Sequence, residues 1–197
     1  MSRNSPSIIT INGKPGAGKT TVAEKLAARL HTHVLDIGKL RRQEARRRNM
    51  TLAAFNTWSE QHPKAGDRSF DTALVQAARK QKRVVITSRM AFHFLPESFK
   101  VFLDVSPRVG AQRALTDKHD RVIEVGVRPT VAHIQRLHQQ RMRSDTRRYR
   151  KLYGVNIFRL TSYDYVLNTT HIPIPIMVSK VAKAFRSWQK EQEKKKG

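Results

Sequence analysis

The 197-residue sequence predicts a three-layer α/β/α domain built on a five-stranded parallel sheet. Five short runs rich in β-branched and other apolar residues, at 7–11, 33–35, 84–87, 101–105 and 165–168, read as buried strands. Segments with helical periodicity separate them. Repeated strand–helix–strand units of this kind pair in parallel and place helices on both faces of the sheet. A glycine-rich stretch, Gly13-Lys14-Pro15-Gly16-Ala17-Gly18-Lys19-Thr20, lies between the first run and the first helix. In such sheets ligands bind beyond the carboxyl ends of the strands, so chemistry is sought just after each run.

The elements follow in order. Val22, Ala23, Leu26, Ala27 and Leu30 give an amphipathic helix over 20–30. A basic helix over 38–48 ends at Asn49, and 51–61 opens on Thr51 as N-cap with Leu52, Phe55 and Trp58 on one side. A further helix spans 69–82. Ser106-Pro107 opens another, with serine as the cap and proline in the first turn. Residues 118–128 read as a loop, and 130–153 as a long basic helix stopped by Gly154. Pro173 or Pro175 opens the last helix, and the chain is expected to fray from 191 to 197.

Composition narrows the class. No apolar run approaches the roughly 20 residues needed to span a bilayer. The first residues carry no long apolar region and do not read as a signal peptide. The chain has no cysteine, which excludes disulfides, thiolate metal sites and a cysteine nucleophile. Cytoplasmic location and a monomer are the expectations. The 39 Lys and Arg against 15 Asp and Glu give a net charge of +24, a field that attracts polyanions. Phosphate-bearing substrates use some of that charge, and non-specific nucleic-acid contact is the other reading. The basic residues are spread along the whole chain.

Gly13, Gly18, Lys19 and Thr20 match G-x-x-x-x-G-K-[ST] in the required strand–loop–helix context. Glycines let successive backbone N–H groups converge on phosphate oxygens, and the following helix presents its positive end. Lys19 is expected to bridge the β- and γ-phosphates of ATP, with the Thr20 hydroxyl on Mg²⁺ and Thr21 completing the loop. Arg42 and Arg89 follow the second and third strands, where guanidinium forks could hold a second phosphate bidentately. Either alone could equally be surface charge. On the long basic helix Arg141, Asp145 and Arg148 share one face, which suits charge stabilisation over a migrating phosphoryl group or a salt-bridged exposed face.

Read together, GKPGAGKTT, LDIGKLRR, VVITSRMA, RMRSDTRRYRKLYGVNI and YDYVLNTT resemble the cytidylate kinases, in the archaeal-type branch of the P-loop nucleoside monophosphate kinases. The resemblance runs over roughly residues 8–184, and its most specific piece is the R-x-x-S-[DE]-x-x-R-Y-x-x-x-Y-G block from Arg141 to Gly154. It implies transfer of the ATP γ-phosphoryl group to CMP or dCMP. It also implies one domain over 1–187, with an acceptor-binding region at 38–81, a lid at 118–148 and a charged tail at 188–197. Arg42, Arg89, Arg141 and Arg148 match phosphate-binding arginines of the family, and Asp145 matches a lid acid. Asp36 matches an acid near Mg²⁺ or the acceptor phosphate, and Arg113 an arginine flanking the ATP base.

The sequence also departs from the family. Ser88 stands where relatives have glycine, and Lys39 where many have an acid or small residue. Met90 replaces an acid with which larger bacterial relatives read the base. A nucleic-acid-associated ATPase on the same fold, or a kinase for another nucleotide or small acceptor, are the rival readings.

Overall fold

A computed structural model describes residues 7–62, 64–116 and 129–195. The expected loop at 118–128, and with it part of the expected lid, lies outside the described residues. Five strands, β1 (Ser7–Gly13), β2 (His33–Asp36), β3 (Arg83–Thr87), β4 (Phe99–Asp104) and β5 (Tyr165–Asn168), form one sheet in the order β2-β3-β1-β4-β5. Every pairing is parallel. Ile9 of β1 pairs with Val85 on one side and Phe99 on the other.

The helices are α1 (Lys19–Arg29), α2 (Ile37–Arg47), α3 (Leu52–Gln61), α4 (Asp67–Arg79), α5 (Ala91–Phe94), α6 (Pro107–Thr116), α7 (Val131–Tyr153) and α8 (Ile174–Lys194). Strand alternation sorts the core onto two faces. Ile9 and Ile11 pack with Val22 and Leu26 of α1 and with Val178, Val181 and Phe185 of α8. Ile8, Val84 and Ile86 face the other way, onto Leu74 and Ala78 of α4. A third cluster, Met90, Phe92, Phe102, Tyr149, Ile157 and Tyr163, anchors the C-terminal half of α7.

Helix ends follow local chemistry. The Asp36 side chain accepts from Lys39 N at 3.0 Å, so α2 starts at Ile37. Thr51 and Thr130 cap α3 and α7 through their hydroxyls. Two expectations need correction. Helix α4 begins at Asp67, two residues early, because that carboxylate is buried against arginines and belongs to the packed turn. The C-terminal residues expected to fray instead continue α8 through Lys194. Trp188 holds them: its ring lies 5.5 Å from Phe99 and 6.1 Å from Phe185, while Gln189 Nε2 donates to Ser7 Oγ. Among the described residues no helix is long and apolar enough to cross a membrane.

Candidate active site

The loop from Gly13 to Gly18 leaves β1 and feeds directly into α1 at Lys19. Its shape requires glycine. Gly16 has a φ of 73°, and a Cβ there would lie 2.1 Å from the Gly110 carbonyl oxygen of α6. The loop is thereby pressed between the end of β4 and α6, with the N-terminus of α1 at its far end. Lys19 Nζ donates to Lys14 O at 2.7 Å and lies across the loop. Lys14 itself pairs with Asp104, at the end of β4, at 2.6 Å.

A cleft of about 110 Å³ opens beside this loop. Lys19 and Thr20 line one side; Asp36, Arg42, Arg89, Arg141, Asp145 and Arg148 line the rest together with α3 and α4. The arginines and acids chosen from β2, β3 and α7 therefore do meet Lys19 in one place. Arg113 does not reach it. That guanidinium donates to Thr169 O at 2.7 Å and Thr170 O at 3.2 Å, tying α6 to the segment after β5. Thr21 is exposed on α1 and is not part of the cleft wall.

Part of the charge in the cleft belongs to one chain of ion pairs. Arg89 Nε meets Asp145 Oδ2 at 3.0 Å, and Asp145 Oδ1 accepts from Arg148 Nη2 at 2.8 Å. Arg148 Nε lies 3.5 Å from Asp67, whose other oxygen accepts from Arg41 Nη1 at 2.7 Å. Burial alone would raise the pKa of Asp145, but Arg89, Arg148, Arg141 and Arg41 outweigh it and hold the group below the usual carboxylate range. The carboxylate stays charged and keeps two guanidinium planes aimed. Arg148 Nη1 and Thr87 Oγ1 are buried without a hydrogen-bond partner among the described residues, and both residues line the cleft. Buried donors of this kind call for an acceptor, and phosphate oxygens are suited to them.

Ser88 does not project its hydroxyl as a free group. Its Oγ accepts from Met90 N and Ala91 N and caps the short α5. Met90 is fully buried among Phe92, Phe102 and Tyr163.

Archaeal relatives share this chain's sequence over nearly its full length. Cytidylate kinase from Halobacterium salinarum is 31% identical over 94% of this chain and 93% of its own length. Cytidylate kinase from Methanothermobacter thermautotrophicus is 32% identical over 82% of this chain and 94% of its own. The chain belongs to the cytidylate kinase family. It is accordingly a kinase of the P-loop class. A family model described as AAA domain matches residues 9–128. Among solved structures, a shikimate kinase from Bacteroides thetaiotaomicron has a TM-score of 0.58, with 20% identity over 95% of this chain and 98% of that one. A gluconokinase from Sinorhizobium meliloti reaches 0.61 at 13% identity, covering 99% and 100%. At those identities the two share the fold.

This cytidylate kinase family member also uses residues that the sequence pattern passed over. Arg41, next to the chosen Arg42, is buried between Phe55 and Phe70, each ring 5.3 Å from its guanidinium carbon. It donates to Asp67 on α4 and Asn56 on α3, and so ties three helices together. Asn12, at the end of β1, accepts from Arg89 Nη1 and Gly13 N through Oδ1 and donates to Tyr163 Oη through Nδ2. Asp67 and Asp71 sit four apart on α4, and like charges at that spacing repel unless cations face them. That spacing was the available signal for a built polar site on α4.

Proposed function

We propose that this kinase transfers the γ-phosphoryl group of ATP, with Mg²⁺, to the phosphate of CMP or dCMP by direct in-line displacement. One observation carries the reading: Lys19, Arg42, Arg89 and Arg148 line a single cleft against the phosphate loop, and buried Arg148 Nη1 has no partner among the described residues. Two anionic groups brought together need cations on both sides, and guanidinium donors fix the direction of approach.

The residue roles follow from position. Backbone N–H groups of Gly16, Gly18, Lys19 and Thr20, at the N-terminus of α1, hold the ATP phosphates, and Lys19 leaves Lys14 O for the phosphoryl oxygens. Arg42 and Arg89 bind the acceptor phosphate. Arg141 and Arg148 of α7 stabilise charge on the transferring group, while Asp145 orients Arg89 and Arg148. A nucleoside monophosphate is already ionised near neutral pH, so the acceptor oxygen needs no general base.

The donors available for Mg²⁺ fit that ion. Thr20 supplies a hydroxyl and Asp36 a carboxylate on the same cleft, and no cluster of three or more His, Cys, Asp or Glu exists among the described residues. Mg²⁺ keeps most of its water and takes one or two protein ligands beside substrate phosphates, so a sparse set suffices. When bound, the ion would neutralise phosphate charge during transfer.

A coupled ADP-release assay with ATP against a panel of ribo- and deoxynucleoside monophosphates tests the proposal. Turnover that depends on CMP or dCMP supports it; ATP hydrolysis indifferent to every monophosphate would remove it. The rival nucleic-acid-associated ATPase is not favoured, since the archaeal relatives are cytidylate kinases.

A further inference from the structure

Beside its arginines, the cleft also carries apolar lining. Ile37, Leu52 and Phe70 supply an apolar wall, and Asn56 and Asp71 place two polar groups within it. A phosphate needs none of these. A flat heterocycle does: apolar side chains take its faces, and a few fixed polar atoms take its edge.

Tyr153 and Asp71 are built as a pair. Tyr153, in the last turn of α7, donates from Oη to Asp71 Oδ2 at 2.7 Å. That is the one hydrogen bond of Asp71 among the described residues, so Oδ1 is left over on a residue of the cleft wall. Tyr153 is itself fixed by ring contacts with Phe94 and Tyr149. Asn56 Oδ1 is taken by Arg41 Nη2 at 2.9 Å, which leaves the amide N–H groups as what Asn56 can offer. The two side chains therefore present one acceptor and one donor.

Resting on the kinase reading above, we propose that Asp71, held by Tyr153, selects the acceptor's base by accepting a hydrogen bond from its exocyclic amino group. An ionised carboxylate only accepts. It is matched to the N4 amino group of cytosine and opposed to the O4 carbonyl of uracil, which shares the same ring shape. Asn56 complements this by donating to N3 or O2 of the same ring. This would let a chain with Met90 sunk in its core still discriminate: the reading group comes from α4, whose Leu74 and Ala78 pack against Ala91 of α5 and the adjoining Leu95. A tether between α4 and α7 would need no charge. Burial drives the Asp71 pKa up to about 6, against the Tyr153 hydrogen bond, so the carboxylate is kept there against its own solvation.

The test compares kcat/KM for CMP and UMP in the full chain, Asp71→Asn and Tyr153→Phe. Asparagine can donate to a carbonyl, so Asp71→Asn is expected to cut the CMP-to-UMP preference about a hundredfold, chiefly through KM. Tyr153→Phe keeps the carboxylate but frees it, and is expected to cut the same ratio about tenfold. A general loss of fold or activity would lower both substrates together and leave the ratio unmoved. An unchanged ratio in either folded variant, with the wild-type chain active on CMP, overturns the role of Asp71 alone. Absence of turnover with both nucleotides in the wild-type chain would overturn the kinase reading and this assignment together.

Discussion

Arg89 and Asp145 meet at 3.0 Å although 56 residues separate them, joining the end of β3 to the middle of α7. Asp145 is buried and Arg89 partly so, and Arg89 also donates to Gly13 O at 2.7 Å. Arg89, the phosphate loop and the basic helix are thus one mechanical unit. Any change to Asp145 acts on all three.

Asp145→Ala leaves the buried Arg148 and the partly buried Arg89 without their shared counter-ion. We expect a loss of about 3–5 kcal/mol in urea unfolding. The wild-type pair also predicts acid sensitivity. Because the folded pKa of Asp145 lies below its unfolded value, its contribution is full above the ordinary carboxylate range and is lost as pH falls through the folded value. Wild type should lose stability relative to Asp145→Ala as pH drops from about 5 to 3.

Lys19 lies on the loop, donates to Lys14 O and is half-exposed, so its removal is expected to cost the fold little. Lys19→Ala should keep the thermal midpoint within about 2 °C and lower kcat by about 10³-fold or more. Circular dichroism melts with the coupled assay check both halves. Near-normal CMP phosphorylation by the variant would rule out the role given to the lysine.

Arg41 and Arg42 are neighbours with opposite expected phenotypes. Arg41→Lys removes a fork that meets Asp67 and Asn56 and stacks between two rings, which predicts about 1–3 kcal/mol of destabilisation. Arg42, a third exposed and 3.8 Å from Asp36, contributes little packing. Arg42→Ala should change stability by under about 0.5 kcal/mol yet raise KM for CMP about tenfold or more. The reverse assignment of effects would show that the wrong arginine has been placed on the acceptor.

Asp71 works against the fold that holds it. Its pKa rises from 3.8 unfolded to about 6 in the native state, mainly through burial, with Asp67 adding to the shift and Tyr153, Arg41 and Arg148 opposing it. Between those values the native state binds a proton that the unfolded chain does not, so stability falls as pH climbs through that window and then levels. Asp71→Asn should therefore raise stability at pH 7.5 by on the order of 1–2 kcal/mol, after allowance for screening at a half-buried site. The gain should vanish near pH 4. Melting curves at the two pH values decide it.

The phosphate loop and the five strands were legible because each depends on residues adjacent in the chain. A run such as Ile8-Ile9-Thr10-Ile11 is buried on both faces wherever it sits, and Gly16 reports a backbone shape that only glycine tolerates. Arg141, Asp145 and Arg148 were legible for the same reason, since helical geometry alone puts them on one face. The C-terminal residues misled because their charge pattern says nothing of Trp188, which packs on a strand nearly ninety residues earlier.

Sequence by itself determined the parallel α/β architecture, the nucleotide loop and the pool of cations available for an acceptor. Tertiary structure decided which members of that pool do which work: Arg41 inward as a helix clamp, Arg42 on the cleft, Arg113 turned to the carbonyls after β5, and Asp71 under Tyr153. The physical reason is that a side chain's role here depends on which partner faces it, for Arg41, Arg113 and Asp71 across 26 to 82 residues of chain. Helical phase and strand order set that facing, and residue type alone does not.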